Sequence, residues 1–392
     1  MKILHFIPKF SSISQSFIYD LLLRLDKIDH VDNTVLTYKR SQEKERPYKD
    51  VKIIKSNTLM ERLMYKILRK IGCKRIVAPN IRALRRELNK KNDYDIFHAH
   101  FGNSAYKAFI ADDSVEFAIK TVVSIHGTDI TKNFASKKKY REVLISAANR
   151  GCIFLANSQF LASKAIELGL PRENIKIVYN TVNEKFLNAE RELPYADGPL
   201  RIISIGRLID VKGHEYLIRA VPVLKRNIKN IQLSIVGDGI NLSKLKNLVH
   251  DLGIDENVHF LGSVSHDKLP EILSNHHIYV QPSIIYEKTG QEESFGIVIL
   301  EALAVGLPVI VTNTGGMPEV VNFTSSKWAK IIPQKDEMSI AKAVNEIIDN
   351  NKSFKLKDPD RINILEKYTA EKQTETLLDI YSDVIGNYAD ET

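Results

Sequence analysis

The chain has 392 residues with a formal net charge of +8, and 44% of its residues are hydrophobic and 27% charged. This composition is typical of a folded globular protein, and the length exceeds that of a usual single core, so we expect two domains. Cys73 and Cys152 are the only cysteines, which excludes a disulfide framework and a thiolate metal site and makes a reducing cytosol the simplest compartment.

The first half of the chain alternates short apolar runs with helical patterns, as expected for a parallel α/β sheet. Its first apolar run is too short for a signal peptide and predicts a buried strand. No apolar run in the sequence reaches the length of a membrane span. Strands are predicted at residues 2–7, 34–38, 95–98, 121–125, 152–156 and 176–178.

A strongly basic segment lies in this half, at residues 59–91, where eleven Lys and Arg residues are accompanied by only Glu61 and Glu87. Six of its apolar residues fall largely on one helical stripe: Leu59, Leu63, Met64, Ile67, Leu68 and Ile71. A basic amphipathic helix can lie on an anionic membrane. The same pattern also suits a surface helix whose stripe packs on the sheet, and the sequence leaves both interpretations open.

Charge and a polar segment divide the chain in two. Residues 1–183 hold 33 basic and 18 acidic residues, whereas the remainder holds 23 and 30. We therefore predict a first domain at 1–183, a linker at 184–199 that contains Pro194, and a second domain at 200–368. A helical pattern at about 369–392 is predicted to pack back on the first domain. Interleaved aromatic residues are sparse in the basic segment and no nucleic-acid module is recognisable, which argues against a nucleic-acid partner.

The second domain repeats the alternation of strands and helices. Strands are predicted at residues 201–205, 232–236, 258–261, 278–281, 308–312 and 329–332. We therefore predict an α/β protein with two Rossmann-like doubly wound domains that face a central cleft. Such folds bind ligands at the carboxyl ends of their strands.

Several of these strand ends carry glycine and charge. Gly206, Arg207 and Lys212 follow the first strand of the second domain, where Arg207 could grip a phosphate bidentately and Lys212 could act as a point charge. Two solvated loop cations are the alternative. Gly237 ends the next strand, and Val264 follows the third strand two residues after a glycine. Both strand ends are compatible with close approach of a ligand and also with a plain turn.

The segment E-S-F-G-I-V-I-L-E, residues 293–301, places Glu293 and Glu301 eight positions apart. A helix is predicted to start at Gly296, with Glu293 in the loop before it and Glu301 further along it. The free N–H groups of such a helix start suit a phosphate. Phosphate-binding and carboxylate groups together fit a nucleotide-sugar, although on spacing alone a pair of solvated surface carboxylates is the commoner arrangement.

Together these segments resemble the family 4 retaining glycosyltransferases of the two-domain GT-B architecture. The resemblance rests on G-R-L-I-D-V-K-G at 206–213, V-G-D-G at 236–239, F-L-G-S-V at 260–264, the Glu pair at 293–301, and the glycine-rich run at 304–321. It implies metal-independent hexosyl transfer from a nucleoside-diphosphate sugar, with UDP or GDP as the nucleotide. No cofactor or metal is expected, and no D-x-D run occurs on the expected loop.

The resemblance also implies roles for single residues. Glu293 would bind the donor sugar, and Arg207 and Lys212 would relieve the charge of the leaving diphosphate. Glu301 would bind the ribose, Val264 the base, and the amides of Ile297 and Val298 the phosphates. The implied catalytic residues are thus Glu293, His126, Arg207 and Lys212, and the implied donor-binding residues are Gly206, Gly237, Val264, Ser294, Phe295, Gly296, Ile297, Val298 and Glu301.

Residues of the first domain match the family less closely. His126 and Asp129 fit its H-G-x-D site, where His126 would lie against the donor sugar and Asp129 would touch acceptor or donor. The first loop lacks the usual glycine pair and resembles the S-E-T-F-I loop of exopolysaccharide transferases such as those of colanic acid, with Gln15 replacing the Glu. Glutamine, unlike that Glu, cannot act as an anionic base. Ser14, Gln15 and Asp129 are the acceptor-side candidates.

His98 and His100 alternate on the predicted strand before this site. Two histidines without further ligands do not make a metal site, so structural hydrogen bonding is the expectation. Taken together, the sequence predicts a transferase at the cytoplasmic face of an anionic membrane, with a saccharide or lipid-linked acceptor. A sugar-nucleotide epimerase of the same architecture and a non-catalytic membrane- or polyanion-binding protein are the alternatives.

Overall fold

The computed structural model describes residues 1–12, 15–55, 59–71, 77–90, 93–189, 198–322, 328–350 and 366–391. The chain forms two compact units. Unit 1 comprises Met1–Asn157, Ala162–Val178 and Thr374–Thr392, and unit 2 comprises Ser158–Leu161 and Tyr179–Gln373. None of the helices within the described ranges is both long and apolar enough to cross a bilayer.

The described residues of unit 1 form nine strands: β1 (Lys2–Phe6), β2 (Lys9–Phe10), β3 (Asp32–Thr37), β4 (Lys39–Arg40), β5 (Val51–Ile53), β6 (Ile96–His100), β7 (Thr121–Ile125), β8 (Ile153–Ala156) and β9 (Ile175–Ile177). Seven of them form a parallel sheet in the order β5-β3-β1-β6-β7-β8-β9, and β2 pairs separately with β4. All six strands predicted for this half are confirmed. The additional strands β2, β4 and β5 have only two or three residues, which is too short for a periodic pattern.

The helices of this part of the chain are α1 (Ser16–Leu25), α2 (Leu59–Lys70), α3 (Pro79–Leu88), α4 (Gly102–Ala111), α5 (Val115–Ile119), α6 (Lys138–Ala148) and α7 (Gln159–Glu167). A π-helical turn covers Asp129–Phe134. The sheet buries an apolar core in which Ile3, Ile96 and Val122 come from neighbouring strands. Leu377 and Tyr381, near the end of the chain, belong to the same core.

Unit 2 contains β10 (Leu200–Ile205), β11 (Ile231–Val236), β12 (Val258–Gly262), β13 (Ile278–Gln281), β14 (Val309–Thr312) and β15 (Ala329–Ile332). They form one parallel sheet in the order β12-β11-β10-β13-β14-β15. The strand order reverses beside β10, which is where doubly wound sheets open a ligand crevice. All six predicted strands are confirmed.

Helices α8 (Glu184–Leu187), α9 (His214–Leu224), α10 (Leu242–Asp251), α11 (Leu269–Ser274), α12 (Ile297–Val305), α13 (Met317–Val321) and α14 (Glu337–Asn350) accompany this sheet, and α15 (Ala370–Glu391) ends the chain. Every residue of α12 from Ile299 to Val305 is buried, in keeping with a helix that is apolar on all sides. Helix α8 falls inside the predicted linker 184–199, of which residues 190–197 lie outside the described residues.

Candidate active site

Two strand ends of unit 2 are in backbone contact because glycine occupies both. Gly206 follows β10 and Gly237 follows β11, and a Cβ on Gly237 would lie 2.0 Å from the carbonyl oxygen of Gly206. Gly237 also has a φ of +136°, a conformation that side chains rarely tolerate. A larger residue at 237 would therefore force the two loops apart at the carboxyl edge of the sheet, where the sequence predicts the donor.

Lys212 and Glu293 meet at this edge although 81 positions separate them in the chain. Lys212 ends a short 3-10 helix, and its aliphatic chain crosses Gly206, where a Cβ would lie 3.3 Å from Lys212 Cε. Its ammonium donates a hydrogen bond to Oε2 of Glu293, and the two side chains are only 16% and 17% exposed. The structure thus pairs two predicted catalytic residues, while Arg207 is exposed to solvent.

Hydrogen bonds from a glycine turn hold the loop that carries Glu293. The N–H of Gly316 donates to the carbonyl of Glu293 at 2.9 Å, and the N–H of Gly315 donates to Oε2 of Glu292 at 3.2 Å. The hydroxyl of Ser158 donates to the carbonyl of Ser294 at 2.7 Å. The sequence did not predict Glu292 and Ser158 as part of the site. Glu292 adjoins Glu293, but no signal in the sequence tells a loop-binding carboxylate from a ligand-binding one.

Helix α12 starts directly after this loop, with Gly296 in a left-handed conformation at φ +82°. No side chain in the described part of unit 2 caps the helix, and its first turn holds no acidic residue. The N–H groups of Ile297 and Val298 are therefore suited to an anionic ligand, which the helix dipole also favours. The preceding Phe295 is buried with its ring centroid 5.8 Å from that of Tyr368, which fixes the backbone at the helix start.

Glu301 lies within α12 and is 2% exposed. Its Oε1 accepts a hydrogen bond from Nε2 of His266 at 2.6 Å, whereas its Oε2 is buried and has no hydrogen-bond partner among the described residues. Burial, and then the charges of Glu293 and Glu301, raise the pKa of Tyr279, so both carboxylates lie within electrostatic reach of one hydroxyl. The sequence did not predict a contribution from His266.

Val264 follows the end of β12, and its side chain packs partly buried against the core of unit 2. The contact with a base that the resemblance implies stays a prediction.

In unit 1, His126 follows β7 and lies against two aromatic rings. The centroid of its ring is 4.9 Å from that of Phe101 and 5.2 Å from that of Phe17. Burial lowers the pKa of His126 to about 4, so the imidazole is neutral near pH 7. Its Nε2 is buried without a hydrogen-bond partner among the described residues. Phe101 has a φ of +79°, which is strained for a bulky residue and is the kind of outlier that clusters at functional sites.

Asp129 is 2% exposed, and its carboxylate accepts hydrogen bonds from the backbone N–H groups of Gly102, Asn103 and His126. Burial raises the pKa of Asp129 to about 6, and these hydrogen bonds oppose the rise. Because Gly102 and Asn103 open α4, the carboxylate caps that helix while it holds the backbone of His126. In this geometry Asp129 positions the backbone of His126. Its contact with acceptor or donor stays a prediction.

The two remaining acceptor-side candidates precede α1. The side chain of Gln15 accepts a long hydrogen bond of 3.4 Å from the N–H of Ser12, which ties the loop to the helix start. Ser14 lies outside the described residues. Neither observation tests a contact with an acceptor.

Three buried histidines form a hydrogen-bonded cluster beside this part of unit 1. Nδ1 of His5 lies 3.0 Å from Nε2 of His100, and Nε2 of His5 lies 3.0 Å from Oδ1 of Asn33. His98 bonds the hydroxyl of Tyr381 on α15 at 2.6 Å. Burial lowers the pKa of all three rings, so they are neutral near pH 7. The hydrogen bonding predicted for His98 and His100 is confirmed. His5 lies on the neighbouring strand β1, in register with His98, and the sequence does not predict its contribution. The nearest ring nitrogens lie within 4.8 Å of one another, and a metal ion there would have to displace these bonds.

Two family models match consecutive parts of the chain. Residues 14–186 match the model described as Glycosyltransferase Family 4, and residues 187–363 match the model described as Glycosyl transferases group 1. The second match contains Lys212, Glu293 and Glu301.

Known relatives align with large parts of the chain. N-acetyl-alpha-D-glucosaminyl L-malate synthase of Bacillus anthracis is 27% identical over 307 residues, which cover 76% of this chain and 77% of that protein. The amylovoran biosynthesis glycosyltransferase AmsK of Erwinia amylovora is 30% identical over 254 residues, which cover 63% of this chain and 60% of AmsK.

The fold is also found among solved structures. Anabaena HepE, crystallised in complex with UDP-glucose, matches with a TM-score of 0.74 and 19% identity over 98% of this chain and 100% of that chain. At this identity the match concerns the fold. It confirms the predicted architecture of two Rossmann-like domains, GT-B.

Proposed function

We propose that this chain, which belongs to the family 4 glycosyltransferases, moves a hexose from a nucleoside diphosphate to a saccharide or lipid-linked acceptor in cell-surface polysaccharide synthesis. AmsK is named for amylovoran, which supports a polysaccharide acceptor, and HepE with UDP-glucose supports a nucleotide-sugar donor. UDP or GDP is the proposed nucleotide. The observation that carries the proposal is the ion pair of Lys212 with Glu293 just before the uncapped start of α12.

In the proposed complex the donor diphosphate lies at the start of α12. The amides of Ile297 and Val298 donate to its oxygens, and Lys212 and Arg207 neutralise its charge. Glu293 then accepts a hydrogen bond from a hydroxyl of the donor sugar. Oε2 of Glu301, which has no hydrogen-bond partner among the described residues, accepts one from the ribose.

The proposed transfer breaks the bond between the anomeric carbon and the diphosphate oxygen and forms a bond from that carbon to the acceptor oxygen. The acceptor proton passes to the leaving diphosphate. Because departure and attack take place on the same face of the sugar, the configuration is retained. Cations of the protein stabilise the charge that grows on the leaving group, so the proposal needs no metal. His126, as a neutral imidazole, is assigned to hydrogen bonding with the sugar.

A panel of UDP-, GDP- and ADP-sugars tests this proposal by thermal shift. We expect one nucleotide series to raise Tm, because a ligand that binds only the native state stabilises it. NMR of the product should then show sugar transferred with its anomeric configuration retained. A chain that no member of the panel stabilises contradicts the proposal, and conversion of the donor to an isomer without acceptor would show an epimerase instead.

We also propose that α2 attaches the enzyme to the inner face of the cytoplasmic membrane. Five large apolar side chains on one stripe of this helix and its end are between 51% and 71% exposed: Met60, Leu63, Met64, Ile67 and Ile71. A stripe packed on the sheet, one of the two interpretations of the sequence, is therefore wrong for these side chains. Lys66 and Lys70, on the same helix, are exposed as well. An anionic bilayer complements both features, since it accepts apolar side chains and attracts cations.

Sedimentation with vesicles checks this attachment. We expect binding to phosphatidylcholine vesicles only when they contain phosphatidylglycerol, and weaker binding at high salt. The double variant Leu63→Asp/Ile67→Asp should abolish binding. Lys66→Gln/Lys70→Gln should weaken it about 30-fold, at roughly 1 kcal/mol for each cation.

Met338→Asp is the matched control, because Met338 is 57% exposed on α14, in unit 2. It should sediment like the wild type. If the double variant of the α2 stripe sediments as well as the wild type, or if neutral vesicles suffice, this attachment is refuted.

A further inference from the structure

We propose that His266, fixed by Lys185, is a positioning residue that orients Glu301 toward the ribose of the donor. This inference rests on the proposed function, because it concerns the carboxylate assigned there to the ribose. It adds two residues that neither the motifs nor the comparisons connect with the donor.

The contacts of the His266 ring define which nitrogen carries its proton. Nζ of Lys185 lies 3.0 Å from Nδ1 of His266, and Nε2 of His266 lies 2.6 Å from Oε1 of Glu301. A lysine ammonium only donates hydrogen bonds, so Nδ1 must be the acceptor. The proton of the neutral ring is then on Nε2, from which it is donated to Glu301.

Neighbouring groups hold Lys185 and His266 in this arrangement. Asn183 caps α8 by accepting a hydrogen bond from the N–H of Lys185 at 3.1 Å, and Nζ of Lys185 also bonds Asp267 at 2.7 Å. The fully buried Phe186 lies against His266, with ring centroids 5.2 Å apart. The imidazole is thus restrained by a cation at one nitrogen and by a tilted aromatic ring beside it.

The second oxygen of Glu301 shows why this arrangement concerns a ligand. Glu301 is buried, with only 2% of its surface exposed. Its Oε2 has no hydrogen-bond donor within the described ranges. A buried carboxylate oxygen without a donor is costly, which makes a hydroxyl of the ligand a favourable partner. His266 occupies Oε1 and so fixes the direction in which Oε2 can accept. A histidine that only packed against its neighbours would have no effect on the direction in which Oε2 accepts.

The ratio of affinities for ribose and deoxyribose nucleotides tests this inference. Calorimetry would compare UDP with its 2′-deoxy and 3′-deoxy forms, or the guanosine series if the thermal-shift panel selects GDP. We expect the wild type to prefer the ribonucleotide over the weaker deoxy form by about tenfold or more, because the deoxy form leaves Glu301 unpaired.

In His266→Ala we expect the ribonucleotide to bind more weakly while the deoxy form is little changed, so that the ratio falls to about two or less. His266→Gln, whose amide can donate to Glu301, should recover most of the ratio. Lys185→Met should give an intermediate value, because the ring is then free to change tautomer. His259→Ala replaces an exposed histidine on β12 and should leave the ratio unchanged.

A wild-type ratio in His266→Ala overturns the inference while the proposed function stands. If His266→Ala does not fold, Lys185→Met decides in its place, and a wild-type ratio in that variant overturns the inference equally. If the wild type binds no nucleoside diphosphate, the proposed function itself is refuted. Failure of the inference differs from this result, because the wild type then still binds the nucleotide.

Discussion

Glu293→Gln lowers kcat about 100-fold or more and leaves Tm close to that of the wild type. The substitution keeps the shape of the side chain but removes the charge that pairs with Lys212 and that is assigned to the donor sugar. Groups aimed at the charge of a transition state commonly contribute a factor of 10² to 10³. The loop itself should persist, because Gly316 holds it through the carbonyl of residue 293 and not through the side chain. Steady-state rates with the donor identified by thermal shift, together with a melting curve, measure both effects.

Glu287→Gln is the matched control for this variant. Glu287 lies on the same segment but forms an exposed ion pair with Lys335 at 2.5 Å, and such pairs contribute little. Its kcat should equal that of the wild type. Turnover by Glu293→Gln within a few-fold of the wild type would show that the carboxylate has no part in the reaction.

Lys212→Met weakens the binding of the donor diphosphate by about 10- to 100-fold, which is the range for loss of a hydrogen bond to a charged group. The methionine retains the apolar contact over Gly206 but has no ammonium. Calorimetry with UDP and uridine, or with GDP and guanosine, separates the contribution of the diphosphate to the affinity from that of the nucleoside. Affinity for the diphosphate should fall and affinity for the nucleoside should not.

Lys244→Met is the control for general effects of removing a cation from unit 2. Lys244 pairs with Glu215 at 2.8 Å and is 58% exposed, so its loss should leave both affinities unchanged. If Lys212→Met loses affinity for the nucleoside and for the diphosphate equally, the site is distorted, and the proposed contact between Lys212 and the diphosphate is contradicted.

Much of the fold could be predicted because buried parallel strands are continuous apolar runs. The strands β8 and β14 have that pattern, and β7 and β13 come close to it. The prediction matched all of these strands within a few residues. Strand β5, by contrast, has three residues and gains its place from pairing with β3, a contact that no local pattern records. The exposure of the α2 stripe could not be predicted from the sequence either, because an amphipathic pattern does not show what covers its apolar side.

The site was predictable where a motif carries its chemistry in consecutive residues. Arg207, Lys212, Glu293 and Glu301 lie in such segments. The residues that support them do not. Lys212 reaches Glu293 across 81 positions, and His266 reaches Glu301 across 35, so these contacts exist only once the loops at the ends of the strands are in place. Ser158 is still further from its partner Ser294, at 136 positions.

A crystal structure with the nucleotide-sugar that gives the largest thermal shift tests the central claim most directly. It should show the diphosphate within hydrogen-bond distance of Arg207, Lys212 and the amides of Ile297 and Val298, with the sugar against Glu293. A donor bound elsewhere on the chain, or a diphosphate that touches none of these groups, would contradict the account.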